Sequence, residues 1–277
     1  MRHFRRMGPR TVVAGLFLLP LAGSFPLAGQ WISYPTAGVP RTKDGKPDLG
    51  AACPRMADGK PDLSGLWMMQ PNRSATPNFP GCEPTAQEFA NIGFTLKEGL
   101  PYQPWAAELV KKRIAEERLH DPLSYCLPPG PVRLHTWSTP RKLIQTPGLL
   151  VILNELNASY RQIFTDGRPL PNDPNPSWNG YSSGKWEGDT LVIQTSGFRD
   201  GLWLDSTGNP LTDAAKITER FRRLNFGHMQ IEITVDDPKA YTKPWTVTLN
   251  HTIKLDTDLL DFVCAENEKD TRHLQVN

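Results

Sequence analysis

From residue 141 onward, apolar and polar positions alternate in short runs broken by turn residues, the pattern of successive half-buried strands. The runs predict nine strands, at 142–146, 149–155, 160–165, 178–185, 190–196, 216–224, 228–235, 245–255 and 259–264. Pro147-Gly148, Asp166-Gly167, Gly188-Asp189, Asn225-Phe226-Gly227, Asp236-Asp237-Pro238 and Asp256-Thr257-Asp258 stand in the connections. Short links imply antiparallel neighbours, so the chain is expected to be mainly β, an antiparallel meander curled into a barrel, with a β-sandwich as the alternative. The hairpin at 178–198 centres this pattern: Gly184 and Gly188-Asp189 provide turn chemistry, and Leu191 and Ile193 alternate with Val192 and Gln194.

The preceding segment is built differently. Of 27 prolines, 17 fall between residues 30 and 147 and seven follow, so the first part should be loop-rich, because proline removes ladder donors. Its clear periodic element is 104–119, where Ala106, Leu109, Val110 and Ile114 make an apolar stripe and Asp121-Pro122 ends a helix. The hexapeptide Asp44-Gly45-Lys46-Pro47-Asp48-Leu49 recurs as Asp58-Gly59-Lys60-Pro61-Asp62-Leu63, each copy reading as a turn entering an extended segment. The second copy runs into Gly65-Leu66-Trp67, a first strand that resembles the opening strand of lipocalin-like barrels by fold analogy.

Residues 1–29 carry Arg2, Arg5, Arg6 and Arg10, an apolar run over 11–21 and then small residues, the layout of a cleaved signal peptide. The expected organisation is therefore a signal peptide at 1–29, a proline-rich segment at 30–140 and an antiparallel β domain at 141–277, in a periplasmic or secreted protein. The apolar run is too short for a comfortable bilayer span, so no stable span is expected after cleavage. Loss of the four arginines takes the formal net charge from +2 to −2, which argues against a nucleic-acid partner. Cys53, Cys82, Cys126 and Cys264 allow two disulfides in any of three pairings. Their spacing fits no metal site, and no cofactor is expected.

Candidate chemistry comes from polar residues on apolar rows. In 245–255 His251 interrupts the row Trp245, Val247, Leu249, Ile253, Leu255, and in 216–224 Glu219 lies between Ile217 and Phe221. Glu266 continues the row Leu260, Phe262, Cys264. A charge on an inward face must be paired or functional, so His251, Glu219 and Glu266 are candidates for a general acid/base group or for a satisfied structural pair. Asp205, on the loop 201–210, is a further candidate, with a turn as its simpler role. Trp178, Trp203, Trp245 and Phe221 are candidates for lining a cavity that holds a small, largely apolar molecule. A protein partner is not specified by any pattern here. The alternative functions are an isomerase, cyclase or hydrolase using His251 and Glu219, and an envelope scaffold built on the proline-rich segment.

Four phrases occur in order: the stretch from Asp58 to Trp67, Cys126-Leu127-Pro128-Pro129-Gly130, the stretch from Gly184 to Val192, and Val235-Asp236-Asp237-Pro238. Together they resemble a broad, uncharacterised family of secreted bacterial proteins. The resemblance implies export and no activity. Where that family often has Gly-His-Pro, this chain has Gly208-Asn209-Pro210, without the histidine.

Overall fold

The computed structural model describes residues 34–70, 87–264 and 266. Its elements are β1 (Gly65–Met69), α1 (Gln87–Ala90), α2 (Pro104–Ala115), a 3-10 turn (Pro122–Tyr125), α3 (Pro131–Thr136), β2 (Arg141–Thr146), β3 (Leu149–Asn154), β4 (Tyr160–Phe164), β5 (Tyr181–Glu187) and β6 (Thr190–Ser196). There follow β7 (Leu202–Trp203), β8 (Pro210–Leu211), β9 (Lys216–Arg223), β10 (His228–Asp236) and β11 (Trp245–Ile253). Nine strands close a barrel in the order β1-β11-β10-β9-β6-β5-β4-β3-β2, and β7 pairs with β8 apart from it.

The barrel expected from the alternation is present, with two corrections to its strands. Residues 259–264 form no strand: Phe262 makes a single bridge to Leu156, and Cys264 is bonded to Cys126. The ninth stave is β1, which pairs with β2 on one side and β11 on the other, Trp67 lying opposite both Arg141 and Ile253. The sheet is also mixed. β4 and β5 run parallel through only two residue pairs, Ile163 with Ser182 and Phe164 with Ser183. The physical reason is the connection at 165–180, whose Pro169, Pro171, Pro174 and Pro176 exclude an immediate return strand and carry the chain back before β5 begins.

Burial follows the pleat. β10 buries Met229, Ile231, Ile233 and Val235, β11 buries every second residue from Trp245 to Ile253, and the inward side chains merge into one continuous core. Gly184 lies inside β5 opposite Ile193, and it is not a turn residue. A Cβ there would come within 3.2 Å of Ile163 and Leu191 side-chain atoms, so its bareness lets three strands pack closely. Gly188, at φ 58°, makes the β5–β6 turn, and Asp189 beside it accepts two 2.7 Å hydrogen bonds from Arg55. Both hexapeptide copies are turns: Arg41 bridges Pro47 and Arg55 bridges Pro61, with each arginine donating to the glycine carbonyl of its own turn.

The helix α2 ends four residues before the expected boundary, because Glu117 and Arg118 take positive φ values of 51° and 64°. Its buried face is Ala106 and Val110, while Ile114 is exposed. Arg113 turns inward from α2, its guanidinium 4.4 Å from the Trp203 ring and donating to the Gly208 carbonyl at 2.6 Å. Of the possible cysteine pairings the structure contains Cys126–Cys264, which fastens the end of the described chain to the 3-10 turn. Cys82 lies outside the described residues.

Candidate functional site

The short helix α3 follows directly on the proline-rich run 126–130 and organises the interior. Pro131 occupies its first turn, where a missing N–H has no consequence, and Arg133 fastens it through hydrogen bonds of 2.7 and 2.6 Å to Asp121. All six of its residues are buried. Arg141, the first residue of β2, caps its carboxyl end by donating to the Leu134 carbonyl.

This places His135 against Glu219. The imidazole Nε2 is 2.8 Å from Glu219 Oε1, and Nδ1 is 2.6 Å from an Arg141 nitrogen. A guanidinium only donates, so Nδ1 accepts, the proton is on Nε2, and His135 is neutral and donates to Glu219. Glu219 also accepts from both terminal nitrogens of Arg161, one at 3.0 Å. Arg161 reaches inward from β4, with Nε donating to Ser182 Oγ at 3.0 Å and Nη2 to Thr195 Oγ1 at 2.7 Å. The register explains the meeting point: Glu219 lies between Ile193 and Ile233, and Arg161 lies opposite Ile152.

His251, inward on β11 between Met69 and Met229, meets the same cluster from another side. Its Nε2 is 3.2 Å from the His135 carbonyl, which can only accept, so Nε2 carries the proton and Nδ1 presents a bare lone pair. The rings of His135 and His251 are 5.9 Å apart and nearly perpendicular. Glu219 and His251 are thus joined through His135 and do not bond each other.

Burial pushes His135 down to about 4, with the Arg141 guanidinium acting in the same direction against the Glu219 hydrogen bond. Burial likewise drives His251 well below its ordinary value, helped by Arg141. Burial alone would raise the Glu219 carboxyl, but the Arg161 guanidinium and the hydrogen bonds from His135 and Arg161 outweigh it and hold it at about 2. Arg141 is lowered to about 9 by burial, opposed by Glu219.

The other expected residues lie elsewhere. Asp205 is fully buried and borders none of the pockets described among these residues. Its oxygens accept from the backbone N–H groups of Ile92, Thr207, Gly208 and Asn209 and from the Asn209 side chain, tying the segment after α1 to the β7–β8 loop. Burial pushes this carboxyl up, against those donors. Glu266 is exposed in a turn closed by its own N–H to Val263, and Leu260 and Phe262, whose row it was expected to continue, also face solvent. Phe221 and Trp245 are packed in the core, and Trp203 is buried under Arg113.

Trp178 alone of the four expected lining residues borders a pocket among those described, a cavity of about 860 Å³ beside β4. Tyr160, Phe164, Trp178 and Tyr181 wall it together with Pro169 and Pro171 from the connection. Arg161 and Ser182, both members of the Glu219 cluster, also border it. The pocket sits where β4 and β5 share only two residue pairs. The cluster residues that sequence reasoning missed are His135, Arg141 and Arg161. No protein-family model matches the chain, and no curated protein and no solved structure matches it.

Proposed function

We propose that this protein binds a small, largely apolar ligand in the pocket beside β4. The observation that carries the reading is that cavity of about 860 Å³, within the range of small-molecule sites and walled by four aromatic rings. The barrel axis is occupied by its own side chains, among them Ile163, Ile193, Phe221 and Ile231, so the ligand belongs in the wall. An acid–base role for His251 and Glu219 has no specific support, since both are sealed from solvent. The experiment is titration with 2-naphthamide, an uncharged aromatic probe, followed by calorimetry. Trp178→Ala is expected to weaken binding about tenfold, equivalent to ~1.4 kcal/mol of ring contact, with circular dichroism showing that the variant remains folded. Binding that ignores the substitution places the probe elsewhere and defeats the reading.

The four family-like phrases and the layout of residues 1–29 support a second part of the proposal, that the chain is exported from a bacterial cell as one of a family of secreted proteins. Expression of the full chain in a bacterium should then yield a periplasmic or extracellular product whose first residue is close to Gln30. A cytoplasmic product that retains Met1 would refute export.

A further inference from the structure

The pocket lies where the barrel ladder gives out, and the register shows which backbone groups are left there. Asn154 N–H donates to the Ser159 carbonyl and Thr165 N–H to the Gly148 carbonyl, both at 2.8 Å. Bonded pairs alternate in an antiparallel ladder, so Ser159, Arg161, Ile163 and Thr165 direct their backbone groups toward β3. Tyr160, Gln162 and Phe164 direct theirs toward β5.

On that side the parallel pairs Ile163 with Ser182 and Phe164 with Ser183 require Ser182 to donate to the Gln162 carbonyl and to accept from the Phe164 N–H. The next bond of the ladder would run from the Gln162 N–H to the Gly180 carbonyl. It is not made: the ladder stops at Ser182, Gly180 takes a φ of 62°, and its carbonyl accepts from Ser177 Oγ at 3.3 Å. Further back, the Tyr160 carbonyl accepts from Asn179 Nδ2 at 3.1 Å. The gap edge of β4 thus has these two carbonyls occupied, while the N–H groups of Tyr160 and Gln162 have no partner among the described residues.

Both donors stand at the cavity, which Tyr160 and Gln162 line from one side of the gap and Asn179, Gly180 and Tyr181 from the other. A backbone N–H lies close to the plane of the sheet, so it points across the gap and not into the barrel interior. An added peptide strand would bring N–H and C=O groups in alternation, and this edge has only donors left to meet it. What suits it is a molecule that accepts and need not donate.

Resting on the pocket reading above, we propose that the ligand is an aromatic carbonyl compound whose carbonyl oxygen accepts from the Gln162 backbone N–H, with its ring among Tyr160, Phe164, Trp178 and Tyr181. The oxygen takes the place that the Gly180 carbonyl would hold in a continued ladder.

The test compares 2-acetylnaphthalene with 2-isopropenylnaphthalene, which share a shape and differ in a carbonyl oxygen against a methylene. Equilibrium dialysis on the full chain gives the affinities, and amide NMR reports the contact. The ketone is expected to move the Gln162 amide proton downfield, and the alkene is not. Gln162→Pro, which removes that N–H and no bond to β3, should lower the ratio of ketone to alkene affinity about fivefold, the worth of one hydrogen bond. Gln162→Ala keeps the N–H and should leave the ratio, and Trp178→Ala should weaken both probes alike. A ratio untouched by Gln162→Pro, a ratio lowered equally by Gln162→Ala, or a Gln162 amide that responds identically to both probes overturns the carbonyl assignment. The pocket reading survives that result if Trp178→Ala still weakens both probes. Should Gln162→Pro fail to fold, the amide shift in the unaltered chain decides alone. Probes that do not bind, or whose binding ignores Trp178→Ala, overturn the pocket reading and this inference together.

Discussion

Glu219→Gln is expected to lower folding stability by about 3–5 kcal/mol, the usual effect of removing one partner from a buried ion pair. The side chains are nearly isosteric, so cavity formation contributes little. What changes is that a neutral amide replaces the one carboxylate facing Arg161, His135 and, through His135, Arg141. Two buried guanidiniums then have no counter-charge, and the amide nitrogen meets donors whichever way it is turned. Urea unfolding followed by circular dichroism measures the effect. A loss below about 1 kcal/mol would mean that water reaches the cluster and that its charges are not held in a low-dielectric interior.

The second large effect is acid lability that begins near neutrality. His135 is held at about 4 and His251 well below 6.5, while both return to about 6.5 in the unfolded chain. The unfolded state therefore binds more protons, and stability falls as pH falls. The contribution of these groups is fully present above 6.5 and is lost progressively below it; for His135 that loss is complete near pH 4 and amounts to about 3 kcal/mol. Glu219 adds a further loss between about 4.5 and 2, again toward acid. Unfolding midpoints measured from pH 8 to pH 4 should decline from about pH 6.5, with a slope approaching two protons taken up per molecule unfolded. A flat profile down to pH 5 would show that neither imidazole is confined in its neutral form.

Period-two reading located Glu219 and His251 on inward rows, because one polar residue among apolar neighbours stands out in a long strand. The same reading passed over Arg161 for a physical reason. In β4, Tyr160, Gln162 and Phe164 look like the row to bury, whereas the barrel buries Arg161 and Ile163 and leaves Tyr160 63% exposed. The aromatic row faces outward, where Tyr160 and Phe164 border the pocket. Ile163 beside Arg161 was the available signal, and it could be used only once a carboxylate was known to lie across the barrel. His135 sits in a helix of six residues, too short to show a helical period, between prolines that suggest a connector. The ninth stave was misplaced because Leu260, Phe262 and Val263 form an apolar run typical of a strand. Their exposure shows that composition cannot distinguish a ladder strand from an exposed segment held by one bridge, a few hydrogen bonds and a disulfide. The mixed β4–β5 contact depended on a long proline-rich return, which alternation does not report.

The place of β1 in the barrel determines the order in which the molecule can be completed. Synthesis delivers Gly65–Met69 early, but one of its neighbours, β11, ends at Ile253. Until then the first stave has an unsatisfied edge, and the ladder of every intermediate fragment is open. The circle therefore closes in a single late event that joins two distant parts of the chain, a slow, high-contact-order step. A chain that has not yet delivered β11 cannot hold the closed barrel, so completion of the fold waits for the residues up to Ile253 to emerge.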